Sequence, residues 1–115
     1  MSEKVERPWG YYENLSEDST HKVKRLTVYP EKRLSLQKHK YRSETWVVAS
    51  GNGTAEIDTL YYDLWPGKIV EIPKASIHRL INKSNKENLV VVEVQLGEIL
   101  SEEDIVRLED DFGRA

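Results

Sequence analysis

The sequence predicts an all-β domain, an antiparallel sandwich or jelly-roll barrel, finished by one short helix near the C-terminus. Apolar/polar alternation runs through one short stretch after another, the period of a half-buried strand. Turn residues punctuate these stretches at even spacing, and helical periodicity shows only near the end of the chain. A length of 115 residues predicts a single domain over 1–115 with a modest core.

The elements follow in order. Residues 22–29, Lys-Val-Lys-Arg-Leu-Thr-Val-Tyr, alternate and predict a strand, and 33–39 predict the next after the Pro30-Glu31 turn. A third covers 44–50, with the dense run Trp46-Val47-Val48-Ala49. Asn52-Gly53 tolerates positive φ and predicts a tight hairpin into a strand over 54–62. Pro66-Gly67 and Pro73 bracket a strand over 68–72, and strands over 77–81 and 89–96 flank the polar run 82–88. Ser101 then reads as an N-cap before Glu102-Glu103-Asp104, an acidic first turn suited to the positive end of a helix dipole. Ile105, Leu108 and Phe112 share one face, so a helix is expected over 102–109, closed near Gly113.

Composition bounds the chemistry. With no cysteine, a disulfide scaffold, a thiolate metal site and a cysteine nucleophile are excluded together. Histidine occurs three times, at His21, His39 and His78, so any imidazole chemistry is built from these. A net charge of -3 argues against nucleic-acid partners, which call for a basic excess. No apolar stretch approaches the roughly 20 residues of a membrane span, and the charged N-terminal run has no secretion-signal core. A cytoplasmic location without membrane partners is the expectation.

Gln37 and His39 lie two apart on one predicted strand, so their side chains leave the same face. Glu44 follows after a polar turn, and His78 comes far downstream. An amide oxygen, two imidazoles and a carboxylate make a mixed N/O donor set. It suits Zn, Mn, Co, Ni or Fe(II), with positions left open for water or substrate.

Two spaced motifs then carry a resemblance. Gln37-x-His39-x4-Glu44-x6-Gly51 is similar to the first cupin motif, G-x5-H-x-H-x(3,4)-E-x6-G, with Gln37 for its first His and Glu31 for its opening Gly. Gly67-x5-Pro73-x-Ala75-x2-His78-x3-Asn82 is similar to the second, G-x5-P-x-G-x2-H-x3-N, with Ala75 for Gly. A narrower resemblance runs through Arg7-Pro8-Trp9-Gly10, residues 34–39, Glu93-Val94-Gln95 and the tail Glu103-Asp104-Ile105-Val106-Arg107 with Asp110-Asp111-Phe112-Gly113-Arg114. These look like type II mannose-6-phosphate isomerases, where the module is commonly the C-terminal part of a mannose-1-phosphate guanylyltransferase.

The resemblance implies a cupin fold (double-stranded β-helix, or jelly-roll barrel), with the short helix predicted above added at its C-terminus. It also implies a divalent ion on Gln37, His39, Glu44 and His78, and interconversion of mannose 6-phosphate and fructose 6-phosphate. Nucleotidyl transfer is not expected of these residues. Lys24, Lys40 and His21 are the candidate bases for moving a proton between C1 and C2. Arg25, Arg42 and Arg79 are the candidate phosphate-binding cations, from a set that also holds Lys22, Lys24, Arg107 and Arg114. Trp46 shares a face with Glu44 and is a candidate wall for the sugar. A homodimer is expected of so small a domain with many tyrosines. The family often has His-Arg-x-Glu-His-Trp where this chain has Tyr41-Arg42-Ser43-Glu44-Thr45-Trp46. That loss of two histidines motivates an alternative, a non-catalytic or regulatory cupin binding a sugar phosphate or nucleotide-sugar. A third reading is another cupin enzyme, such as a nucleotide-sugar isomerase or epimerase.

Overall fold

A computed structural model describes residues 3–115; Met1 and Ser2, the start of the charged N-terminal run, lie outside the described residues. The first sheet is formed by β1 (Lys4–Arg7), β2 (Gly10–Glu17), β3 (His21–Val28), β10 (Leu89–Gly97), β5 (Arg42–Ser50) and β8 (Ile69–Ile72), in that spatial order. The second is formed by β11 (Val106–Glu109), β4 (Leu36–Lys38), β9 (His78–Ile81), β6 (Gly53–Ile57) and β7 (Leu60–Leu64). All paired strands run antiparallel.

Four expectations are corrected. No helix forms over 102–109, and the described residues contain none at all. Ser101 does cap a turn, with Glu103 N donating to its Oγ at 3.1 Å and Asp104 N to its carbonyl at 3.1 Å. One turn is all that follows. The Asp104 carbonyl and carboxylate are then taken by His39, Lys40 and Tyr41, and the chain extends into β11 against β4.

Nor is a closed barrel formed. Each sheet keeps two edge strands, β1 and β8 in one, β11 and β7 in the other, so the two ladders face each other without joining into one. Asn52-Gly53 does not turn a hairpin either; it carries the chain from β5 in one sheet to β6 in the other. A Cβ on Gly53 would lie 2.5 Å from the Ile81 carbonyl oxygen, so the backbones approach too closely there for any larger residue.

The strand expected over 54–62 folds back on itself as the β6–β7 hairpin, turning at Asp58 and Thr59, both at positive φ. The turn lacks glycine and is held from outside: Ser76 Oγ and Ile77 N donate to the Asp58 carboxylate at 2.6 and 2.9 Å.

The inner face of the first sheet changes character along its strands. In register across β3, β10 and β5, Leu26, Val91 and Val48 form an apolar row. The next inward row is Lys24, Glu93 and Trp46, and the one beyond is Lys22, Gln95 and Glu44. Most of these residues are buried, so the apolar core (Trp9, Leu26, Val28, Val48, Leu80, Leu89 and Val91 among others) fills one end of the interior and a polar cluster the other. Alternation, continued without interruption, aims charged side chains into the protein there.

Candidate metal centre

Three strands converge at the polar end. Leaving β4, the chain brings in His39, β5 supplies Glu44, and β9 begins with His78. Donor atoms of these three lie within 4.8 Å of one another, and all three residues are buried. His39 Nδ1 sits 2.7 Å from the Asp104 carbonyl and His78 Nδ1 sits 2.9 Å from the Ser76 carbonyl. A carbonyl only accepts, so both Nδ1 atoms carry the proton and both Nε2 lone pairs face inward. His39 Nε2 is 3.2 Å and His78 Nε2 is 3.6 Å from the Glu44 carboxylate. Three acceptors turned on one point fit a shared cation, and the donor set fits a divalent ion of the zinc or first-row type.

The electrostatics agree. Burial lowers the His39 imidazole to about 4, overriding the pull of Glu44, so His39 is neutral at pH 7 and available to bind an ion. Burial pushes the Glu44 carboxyl up, but its basic neighbours His78, His39 and Arg42 pull it down further, and of these Arg42 keeps its charge beside the carboxylate when the imidazoles are neutral. Arg42 donates from Nε to Glu44 at 3.0 Å and from Nη2 to His39 Nε2 at 3.2 Å.

Gln37 stands opposite His78 in the β4–β9 pair. Its Nε2 donates to Ser35 Oγ at 3.0 Å and to the Ser35 carbonyl at 3.3 Å, which leaves Oε1 free as an acceptor.

Gln37, Glu44 and His78 line a cavity of about 170 Å³ between the sheets, together with Arg42, Trp46, Arg79 and Lys24. Trp46 is both wall and anchor: its indole N–H is shared between Glu44 at 3.1 Å and Glu93 at 3.2 Å, and its ring meets His78 edge-on. Arg79, fully buried, donates to the Leu34 carbonyl at 2.9 Å and to Glu109 at 3.1 Å. Lys24 pairs with Glu102 and lies 4.3 Å over the Tyr12 ring.

The remaining candidates sit elsewhere. Arg25, expected among the phosphate-binding cations, turns to the outer face of β3, because alternation reserves the inner face for Lys24 and Leu26; there it holds Glu13 at 2.7 Å. His21 is on that outer side too, among Ser16, Asp18 and Thr20. Lys40 is exposed, with its Nζ over the Tyr41 ring. None of the three lines the cavity.

Sequence reasoning gave no site role to Glu93, Ser35, Arg7 or Glu102, all of which do line it. Glu93 was within reach: it continues the inward series Leu89, Val91 along β10. Burial and then the Glu44 charge push Glu93 up to about 8, so it is protonated at neutral pH, with Gln95 donating to its other oxygen.

Tyr41 and Thr45, where relatives of this pattern often carry histidine, are also outside the cavity lining. Thr45 alternates with the inward Glu44 and Trp46 and faces the other way, and Tyr41 is exposed.

Known proteins resemble this chain in sequence and in fold. A family model described as mannose-6-phosphate isomerase C-terminal matches residues 1–110. The chain is 44% identical over 110 residues to the alginate biosynthesis protein AlgA of Pseudomonas aeruginosa, covering 96% of this chain and 23% of that protein. It is 39% identical over 110 residues to the mannose-1-phosphate guanylyltransferase of Escherichia coli, again 96% of this chain and 23% of the relative. The chain thus spans about a quarter of the length of these curated relatives. Among solved structures, the capsular polysaccharide assembling protein CapF of Staphylococcus aureus superimposes with a TM-score of 0.83 at 17% identity, over 95% of this chain and 33% of that one. That likeness concerns the fold.

Proposed function

The chain belongs to the mannose-6-phosphate isomerase C-terminal family, and from that premise we propose that it interconverts mannose 6-phosphate and fructose 6-phosphate with a divalent ion. The observation that carries the reading is the convergence of His39, Glu44 and His78, two imidazoles and a carboxylate turned on one point, beside a cavity lined with ionisable groups. These three residues would hold the ion, with Gln37 Oε1 as a fourth donor. When bound, the ion supplies Lewis acidity that makes the C–H beside the sugar carbonyl easier to deprotonate.

The protein's own groups do the rest. Trp46 and Arg42 fix the Glu44 carboxylate from two sides, so its oxygens are oriented before anything binds. Of the candidate proton carriers Lys24, Lys40 and His21, Lys24 alone lines the cavity; its Nζ donates to Glu102, which orients it to steady the negative charge that develops on the sugar oxygens. Leu26, Leu34, Leu80 and Ile105 provide the apolar wall that keeps water from the reacting carbons. Sugar phosphates are retained in the cytoplasm by their charge, and the reading carries that location. It also carries a homodimer, supported by exposed Leu60, Tyr61, Trp65 and Ile69 near the sheet edges β7 and β8.

The alternative, a cupin that binds without turnover, drew its strength from the missing histidines, and those positions stand outside the cavity. The deciding experiment loads the purified protein with Zn, Mn, Co, Ni or Fe(II) in turn and follows mannose 6-phosphate by NMR. Appearance of fructose 6-phosphate with at least one ion, lost in Glu44→Ala, is the expected result. Stoichiometric metal without conversion under any of them would leave the binding module instead.

A further inference from the structure

Three arginines that none of the proposed ligands uses meet at the cavity: Arg7 at the end of β1, Arg107 on β11, and Arg114 just beyond it. The other cations of the cavity are already engaged. Arg42 is held by Glu44 and His39, Arg79 by Leu34 and Glu109, Lys24 by Glu102.

Arg107 is different. Its Nε is buried with no hydrogen-bond partner among the described residues. Among the described residues Arg7 donates only to the backbone carbonyl of Glu6, and it stacks at 5.5 Å on Tyr12. Arg114 Nε holds Asp110 at 2.8 Å. Burial, then the charge of Arg114, with Arg7 adding to it, lowers the Arg107 guanidinium from its ordinary range against the opposing pull of Asp110 and Glu102. Arg107 and Arg114 both draw on Asp110, whose Oδ1 is likewise buried without a partner among the described residues, and Glu102 already serves Lys22 and Lys24.

In a chain of net charge -3 this is a local positive excess around an unused buried donor. Leaving such a donor unpaired costs free energy that a ligand acceptor would recover. Guanidinium forks match the tetrahedral oxygens of a phosphate monoester. We propose that Arg7, Arg107 and Arg114 form the anion site that takes the phosphate of the substrate, and that binding it ties the two ends of the chain together over the cavity. The sugar attached to that phosphate rests on the isomerase reading; the anion site itself does not.

Inorganic phosphate is the probe. In calorimetric titration at low salt, wild type binds it, Arg7→Met and Arg107→Met each weaken it at least about tenfold, and Arg25→Met, on the outer face, leaves it unchanged. Arg107→Gln serves as a second variant, and thermal unfolding verifies that each is folded. Phosphate also slows hydrogen exchange in β1 and β11 of wild type and not of Arg107→Gln. Equal phosphate affinity in wild type, Arg7→Met and both Arg107 variants, or no binding by wild type, overturns the site; unchanged exchange at both strands overturns the tie. Arginine-dependent phosphate binding without mannose 6-phosphate turnover would defeat the isomerase reading alone. Turnover with an unchanged KM in the Arg107 variants would defeat the anion site alone.

Discussion

Lys24 on β3 and Glu102 in the C-terminal segment form an ion pair across 78 positions of sequence, and Glu102 also reaches Lys22 at 3.2 Å. Burial works against ionising Glu102, yet Lys24 and Lys22 hold its carboxyl below the usual range. The folded state thus favours the carboxylate more than the unfolded chain does. Its contribution is complete above the unfolded pKa, near 4.5, and is lost as pH falls through the lower folded value. Because Glu102 remains half exposed and water screens the pair, the contribution is about 0.5 kcal/mol. Urea unfolding followed by tryptophan fluorescence should show wild type losing more stability between pH 6 and pH 3 than Glu102→Gln does.

The metal triad predicts an ordered set of losses. Glu44→Ala and His78→Ala each remove a donor from a buried set and should reduce bound metal, measured by mass spectrometry after dialysis, from about one ion per chain to near none. Ser35→Ala frees the Gln37 amide from its Oγ partner and should weaken metal binding by roughly 10-fold while leaving it detectable.

Restoring the two histidines should do little. Tyr41→His together with Thr45→His changes side chains outside the cavity lining, so kcat for mannose 6-phosphate should stay within about threefold of wild type. A rise of a hundredfold would mean that these positions reach the substrate by a route the fold does not show.

The candidate donors Gln37, His39 and Glu44 are legible in the sequence because their spacing is local, with Glu44 following Arg42 in the inward series of β5, whereas His78 stands far downstream and is read from a second motif. Arg25 shows where such reading stops. Alternation places it opposite Lys24, but which of the two faces inward depends on packing, and here the lysine is buried. β11 stops it for another reason. Ile105 and Leu108 fit a helical stripe as well as a turn followed by a short strand, and the choice is made by Asp104, whose partners lie 63 to 65 positions away. β1 and β2 went unread because Tyr11-Tyr12-Glu13-Asn14 does not alternate, and the pairing slips between Asn14 and Ser16.

Both departures from the glycines of the two motifs stand in the left-handed region: Glu31 and Ala75 each have a φ of 64°. Left-handed backbone costs a residue with a Cβ roughly 1–2 kcal/mol, and glycine gives back about half of that through unfolded-chain entropy. Ala75→Gly and Glu31→Gly should each therefore stabilise by about 0.5–1 kcal/mol, read as a higher urea midpoint at unchanged slope. The amide of Ala75, which donates to the His39 carbonyl at 2.8 Å, is retained in the first variant, so metal content should not change.

The change of character along β3, β10 and β5 has a consequence for how this chain tolerates variation. The apolar core is concentrated in the rows of Val28 and Leu89 and of Leu26, Val91 and Val48, while the cavity draws on the row of Lys24, Glu93 and Trp46 and on Glu44 beyond it. The two sets occupy the same strands but opposite ends of them, about one turn of the pleat apart. A substitution in the second set therefore changes what the cavity can hold while the first set keeps the strands packed.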